Sequence, residues 1–204
     1  MWPPAREFLD RLQHPRSRAE ALTTLRARLR EAPGPVDGPP EEVALALELK
    51  RLREALIEAL GDVESCRTCA RGHPLPWGRW TGGHCCGGRT EILFSDDEVA
   101  SLRLSGTTAD SVTPPSPGED HAGCAFRGER GCSLKVADRP NVCVRYFCPT
   151  LTAELNTRGD LPHIRAIAVE LESQFARFTA LRAERLLEEE LAGLVADTER
   201  ARRG

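Results

Sequence analysis

The residues best suited to chemistry are eight cysteines: Cys66, Cys69, Cys85, Cys86, Cys124, Cys132, Cys143 and Cys148. Cys66-Arg67-Thr68-Cys69 is a C-x-x-C knuckle, whose spacing lets both sulfurs reach one metal while backbone N–H groups point at them. Cys85 and Cys86 are adjacent, inside "GGHCCGG" at 82–88. Ordering four glycines is entropically costly, and a bound metal would offset that cost. Side chains alternate in extended chain, so neighbouring cysteines can serve different ligand sets or two corners of one cluster. Cys124, Cys132, Cys143 and Cys148 form a second group, with 7, 10 and 4 residues between them. Zinc takes four ligands and an iron–sulfur cluster usually takes four cysteines. Eight thiols are therefore enough for two four-cysteine sites, or for one cluster with cysteines left over for packing.

Other residues are candidates for supporting roles. His84 is read as a surface group or a neighbour of the ligands, although imidazole also suits zinc and iron. Trp77 and Trp80 are read as apolar lids on the metal site. Arg67, Arg71, Arg139 and Arg145 are placed to offset thiolate charge. Disulfides would need an oxidising compartment, and "MWPPAREFLDRLQH" lacks the apolar run of a secretory signal. A cytoplasmic location is therefore the expectation.

All eight cysteines fall between 66 and 148, which divides the chain into an N-terminal helical region (1–62), a cysteine-cluster region (63–150) and a C-terminal helical region (151–204). Leu22, Leu25 and Leu29 predict a helix over 17–31. The segment "APGPVDGPP" ends it, because proline and glycine do not continue a helix. Leu45, Leu49, Leu52 and Leu56 predict a second helix over 41–60, with Glu41 and Glu42 at its positive end and Gly61 at its stop. Ile164, Ile167, Ala168, Leu171, Phe175 and Phe178 predict a long helix over 162–200, its stripe resumed by Leu187, Leu191 and Leu194. In the centre, "TEILF" at 90–94 reads as a short strand. Ser95 and Glu98 read as a capping box before a short helix through Val99, Leu102 and Leu104. Residues 105–120 read as an exposed loop. The centre shows little apolar patterning, so a metal is expected to hold it. The fold class is mainly α: helical flanks around a small, irregular, cysteine-rich, metal-binding core with a short strand.

The net charge of -3 offers no basic excess for nucleic acid, and no apolar run is long enough for a membrane span. The expected partners are metal ions, together with a protein partner or a homodimer through the helical flanks.

The run "CAFRGERGCSLKVADRPNVCVRYFCP" (124–149) resembles the second half of the CxxCxxCC cysteine-cluster family, also called YkgJ-type and described as zinc- or iron-chelating. Cys124, Cys132, Arg139-Pro140, Cys143, Phe147 and Cys148 stand in the family's order. Cys66, Cys69, Cys85 and Cys86 correspond to the four cysteines that name it. In this chain 15 residues separate Cys69 from Cys85, where the family keeps a short spacing. The resemblance implies all eight cysteines as metal ligands, zinc or an iron–sulfur cluster as the cofactor, and a structural or redox role. An alternative is an iron–sulfur-dependent methyl-transfer or redox enzyme, since a flagellin lysine methylase resembles the family in its cysteine motif. No glycine-rich cofactor loop and no nucleophile paired with a base are apparent, which argues against an enzyme.

Overall fold

The computed structural model describes residues 8, 12, 15–30, 38–66, 89–115, 123–128 and 131–203. They are mainly helical. In chain order the elements are α1 (Arg18–Arg30), α2 (Pro40–Leu60), α3 (Thr90–Leu93), α4 (Asp96–Leu104), β1 (Arg127–Gly128), β2 (Gly131–Cys132), a 3-10 turn (Val136–Asp138), α5 (Asn141–Arg145), α6 (Pro149–Arg158) and α7 (Leu161–Arg203). The expected strand at 90–94 is helical instead: its Thr90–Leu93 segment forms α3, closed by the Phe94 N–H on the Thr90 carbonyl at 2.9 Å. Five residues carry too short a pattern for strand and buried helix to be told apart by periodicity. The extended pairing lies elsewhere, in a two-residue antiparallel ladder that sets Arg127 opposite Cys132.

Helix ends follow local chemistry. Ser17 and Glu20 form a reciprocal capping box at α1, the Ser17 N–H on the Glu20 carboxylate and the Glu20 N–H on the Ser17 hydroxyl. Gly61 stops α2 at φ 59°, and Gly159 separates α6 from α7 at φ 81°. Both angles are in the region that only glycine enters freely.

Two apolar clusters make the core. The first joins α2, α6 and α7 through residues such as Leu49, Leu56, Leu155, Ile164, Leu171 and Phe178. Helices α2 and α7 run antiparallel, since Glu42 meets Arg185 while Ala59 and His163 line the same groove at the other end. The second cluster joins Leu22, Leu25 and Leu29 of α1 to Phe94, Val112, Ala125, Phe126 and Leu134 of the central region. Helix α4 is the shared wall: Ala100 and Leu104 face the first cluster, Val99 and Leu102 the second. The centre thus has a hydrophobic core, contrary to expectation. Its apolar residues are scattered in sequence and form a core only when α1 supplies the facing leucines. The stretch from 105 to 115 is likewise packed, with Thr107, Ala109 and Val112 buried, and not simply exposed loop.

Polar groups complete the join between the helices and the irregular centre. Arg18 of α1 donates to the Ala125 and Arg127 carbonyls, at 3.3 and 2.6 Å. Arg26 donates to the Val112 carbonyl, and Arg28 to the Phe94 carbonyl. These bonds satisfy backbone groups that no ladder or helix reaches. Ser95 caps α4 by accepting the Glu98 N–H at 3.3 Å, but Glu98 does not return the bond. Its carboxylate instead accepts the Asn141 N–H at 3.0 Å, the Asn141 side-chain amide at 3.1 Å and the Val142 N–H at 3.4 Å. Glu98 thereby caps α5 from another element. The Asn141 amide oxygen accepts from Arg53 of α2 at 3.0 Å, and Arg53 also donates to the Ala137 carbonyl at 3.1 Å.

Burial pushes the Glu98 carboxyl up to about 7, against the opposing pull of the Asn141 N–H and the Arg53 charge. Burial likewise lowers Arg53 to about 10, which leaves it charged at neutral pH. Between about 4.5 and about 7 the folded Glu98 binds more proton than the unfolded one. Stability should therefore fall as pH rises through that window, by about 3 kcal/mol from this group. Denaturant titrations across the window should show the slope, and Glu98→Gln should flatten it. Glu98→Ala, which strands the Asn141 and Val142 N–H groups, should cost about 2 to 4 kcal/mol at the acid end of the window and less as pH rises.

Candidate metal centre

The hairpin that carries Cys124 and Cys132 is built from short-range bonds. Gly123 turns the chain at φ 78°, and the Cys124 carbonyl accepts the Arg127 N–H at 3.2 Å. Ser133 closes the far side through its N–H on the Phe126 carbonyl at 2.8 Å. Phe126 packs on Phe94 with ring centroids 5.5 Å apart. Cys124 is buried in this apolar setting, and Cys132, half-buried, joins the same cluster.

The Phe126 N–H and the Thr90 hydroxyl favour a charged Cys124 sulfur. Burial nevertheless dominates and pushes its thiol up to about 11, with the neighbouring Cys132 adding to the rise. At neutral pH this sulfur becomes a thiolate only if a positive charge arrives beside it, and a metal ion supplies one. Thr90 has a second duty, because its Oγ1 accepts the Ala125 N–H at 3.0 Å.

Cys143 and Cys148 belong to a different surround. Cys143 lies within α5, with its N–H on the Pro140 carbonyl at 3.0 Å. Cys148 is the N-cap of α6, and its sulfur accepts the Leu151 N–H at 3.4 Å. Cys148 and Phe147 pack against the first cluster, not the second. Cys66 is exposed, on a helical stretch at 64–66 docked to α6 by the Glu154 carboxylate, which accepts the Glu64 and Ser65 N–H groups at 3.0 and 2.9 Å. Arg158 of the same helix donates to the Leu60 carbonyl at 3.0 Å.

The sequence grouped Cys124, Cys132, Cys143 and Cys148, but among the described residues no three His, Cys, Asp or Glu side chains come together as a metal cluster. What the fold brings together is the pair Cys124 and Cys132. Cys69, Cys85 and Cys86, with His84, Trp77, Trp80, Arg67 and Arg71, lie outside the described residues. The five described cysteines are free of disulfides. Arg139 donates to the Leu134 carbonyl at 3.1 Å and Arg145 pairs with Glu172 at 3.1 Å, so both have structural duties besides any charge offset.

Sequence reasoning missed Arg53, Asn141, Thr90 and Arg18 as supports of this region. A signal existed for Arg53, which interrupts the apolar stripe of α2 between Leu49 and Leu56. Glu98 was visible as half of a capping box. Nothing local marks Asn141, whose partners are 43 and 88 residues away.

Replacing Thr90 tests its double role. Thr90→Val should destabilise the chain by about 1 to 3 kcal/mol, because the buried Ala125 N–H loses its acceptor. Thr90→Ser should recover most of that loss in the same thermal or denaturant melt.

Among the described residues, no helix is long and apolar enough to cross a membrane. No protein-family model, curated protein or solved structure matches this chain.

Proposed function

We propose that the chain is a metal-binding cysteine-cluster protein of the YkgJ type, holding zinc or an iron–sulfur cluster in a structural or redox role. The observation that carries the reading is the treatment of sulfur at Cys148, which accepts the Leu151 N–H, and at Cys124, where the Phe126 N–H and the Thr90 hydroxyl favour the charged form. A neutral thiol is a weak acceptor, whereas a metal-bound thiolate is charged and is stabilised by such donors. Soft thiolates suit zinc and iron–sulfur clusters alike, so the donor set fits both. The confinement of all eight cysteines to 66–148 supports the same reading.

The proposed donors are Cys66, Cys69, Cys85, Cys86, Cys124, Cys132, Cys143 and Cys148. Cys124 and Cys132 pack with the second apolar cluster and Cys148 with the first, which favours two sites over one. In this reading each site takes its remaining thiols from the stretch 66–86. The Leu151 N–H on Cys148, and the carboxylate caps from Glu98 and Glu154, preset the segments proposed to hold the metal. Ligand thiols must lose their protons, so loading releases protons and strengthens as pH rises.

Protein purified without oxygen should contain zinc or iron by elemental analysis. A colourless zinc protein fits a structural role, and a brown chromophore fits an iron–sulfur cluster. Absence of both metals, with eight titratable thiols, rejects the proposal. Cys85→Ser and Cys86→Ser should each lower metal content, because serine is a poor ligand for a soft metal.

Chelation should loosen the centre yet leave most of the helical circular dichroism, since α2, α6 and α7 bury their own apolar cluster. Collapse of that signal would mean that the metal organises the entire fold.

A further inference from the structure

Backbone bonds bring Cys124 and Cys132 together. The Arg127 N–H on the Cys124 carbonyl, at 3.2 Å, closes residues 124–127 into a turn. The ladder then sets Arg127 directly opposite Cys132, so the hairpin returns the second cysteine to the turn that the first one opens. The Ser133 hydroxyl, on the Thr113 carbonyl at 2.8 Å, anchors the returning strand. None of these bonds involves sulfur, so the hairpin keeps its shape whatever the thiols do. Both cysteines pack in the cluster of Leu22, Leu25, Phe94, Phe126 and Leu134. Arg18, whose charge reaches Cys124, spends its guanidinium on the Ala125 and Arg127 carbonyls. Such a surround penalises a thiolate but not a disulfide, which carries no charge and no S–H to satisfy. Seven residues separate the two cysteines, a short loop that the turn and ladder have already closed.

We propose that Cys124 and Cys132 form a reversible redox pair, joined as a disulfide when the chain meets a hydroperoxide. Exposure sets the order of events: Cys132 is half-buried, whereas Cys124 is only 8% exposed. The Cys132 sulfur attacks an oxygen of the hydroperoxide and the O–O bond breaks. The thiol proton leaves with the departing oxygen as water or an alcohol, and Cys132 is left as a sulfenic acid. The Cys124 sulfur then attacks the Cys132 sulfur. The S–S bond forms, the S–O bond breaks, and the sulfenic oxygen leaves as water with the Cys124 proton. The two sulfurs are oxidised by two electrons and the hydroperoxide is reduced by two. A dithiol reductant reverses the link by exchange. The disulfide does not rest on the metal reading; where a metal is held by these thiols, the same oxidation withdraws two of its ligands.

Hydrogen peroxide treatment of the full native chain, before and after chelation, tests it, with alkylation of the remaining thiols and peptide mapping by mass under non-reducing conditions. The Cys124 peptide should appear joined to the Cys132 peptide, and dithiothreitol should part them. Cys124→Ser should leave Cys132 as a sulfenic acid that dimedone captures, whereas Cys132→Ser should leave Cys124 as a thiol. A native Cys132 that passes on to sulfinic acid while Cys124 stays alkylatable overturns the proposal, as does a disulfide from either residue to another cysteine. Elemental analysis of the same sample separates the two readings. A chain without zinc or iron that forms the link rejects the metal reading alone. A chain that carries metal and forms no link after chelation rejects the redox pair alone.

Discussion

The Asn141 side chain bridges two buried charges, accepting from Arg53 on one side and donating to Glu98 on the other. The cysteine-bearing segment depends on that bridge. Irregular backbone cannot be buried unless its N–H and C=O groups find partners, and regular ladders do not supply them here. Arg53 and Glu98 supply them from helices formed independently of the loop. Burying these ions costs solvation, which Glu98 shows by its raised carboxyl. In return, the segment from Ala137 to Val142 is held in one position against α2 and α4.

The arginines of α1 extend the same solution to the other end of the centre. Arg18, Arg26 and Arg28 each reach a carbonyl between Phe94 and Arg127, while Leu22, Leu25 and Leu29 bury the apolar residues of the same stretch. One helix thus contributes both the core face and the hydrogen-bond donors. Cys124, Cys132 and Cys148 are set within this frame. Cys124 shares its apolar surround with Phe94 and Phe126, and Cys148 shares a cluster with α2 and α7. A metal bound by these thiols would therefore be coupled to the packing of both clusters.

Helix α7 divides its length between two environments. Its first half buries Ile164, Leu171 and Phe178 against α2 and α6. Its second half carries the same kind of periodicity with no facing element among the described residues. The arginine pairs at 182 and 185 mark the change.

Much of the helical frame was legible in the sequence. Leucines at helical spacing, glycine stops and a proline-rich break placed α1, α2 and α7 within a few residues, because those signals are local. The cysteine count and the C-x-x-C spacing raise the expectation of thiolate chemistry from residue types alone. Local pattern misread residues 90–94, where Thr90 turned out to serve Cys124 and Ala125 from a helical turn. It also paired Glu98 with its own helix start, whereas the carboxylate reaches Asn141. Leu171 and Leu191 look alike in sequence, yet one is buried and the other bare. Only the tertiary structure decided these points, because each depends on what another element brings into contact, and periodicity records which face is apolar but not what covers it.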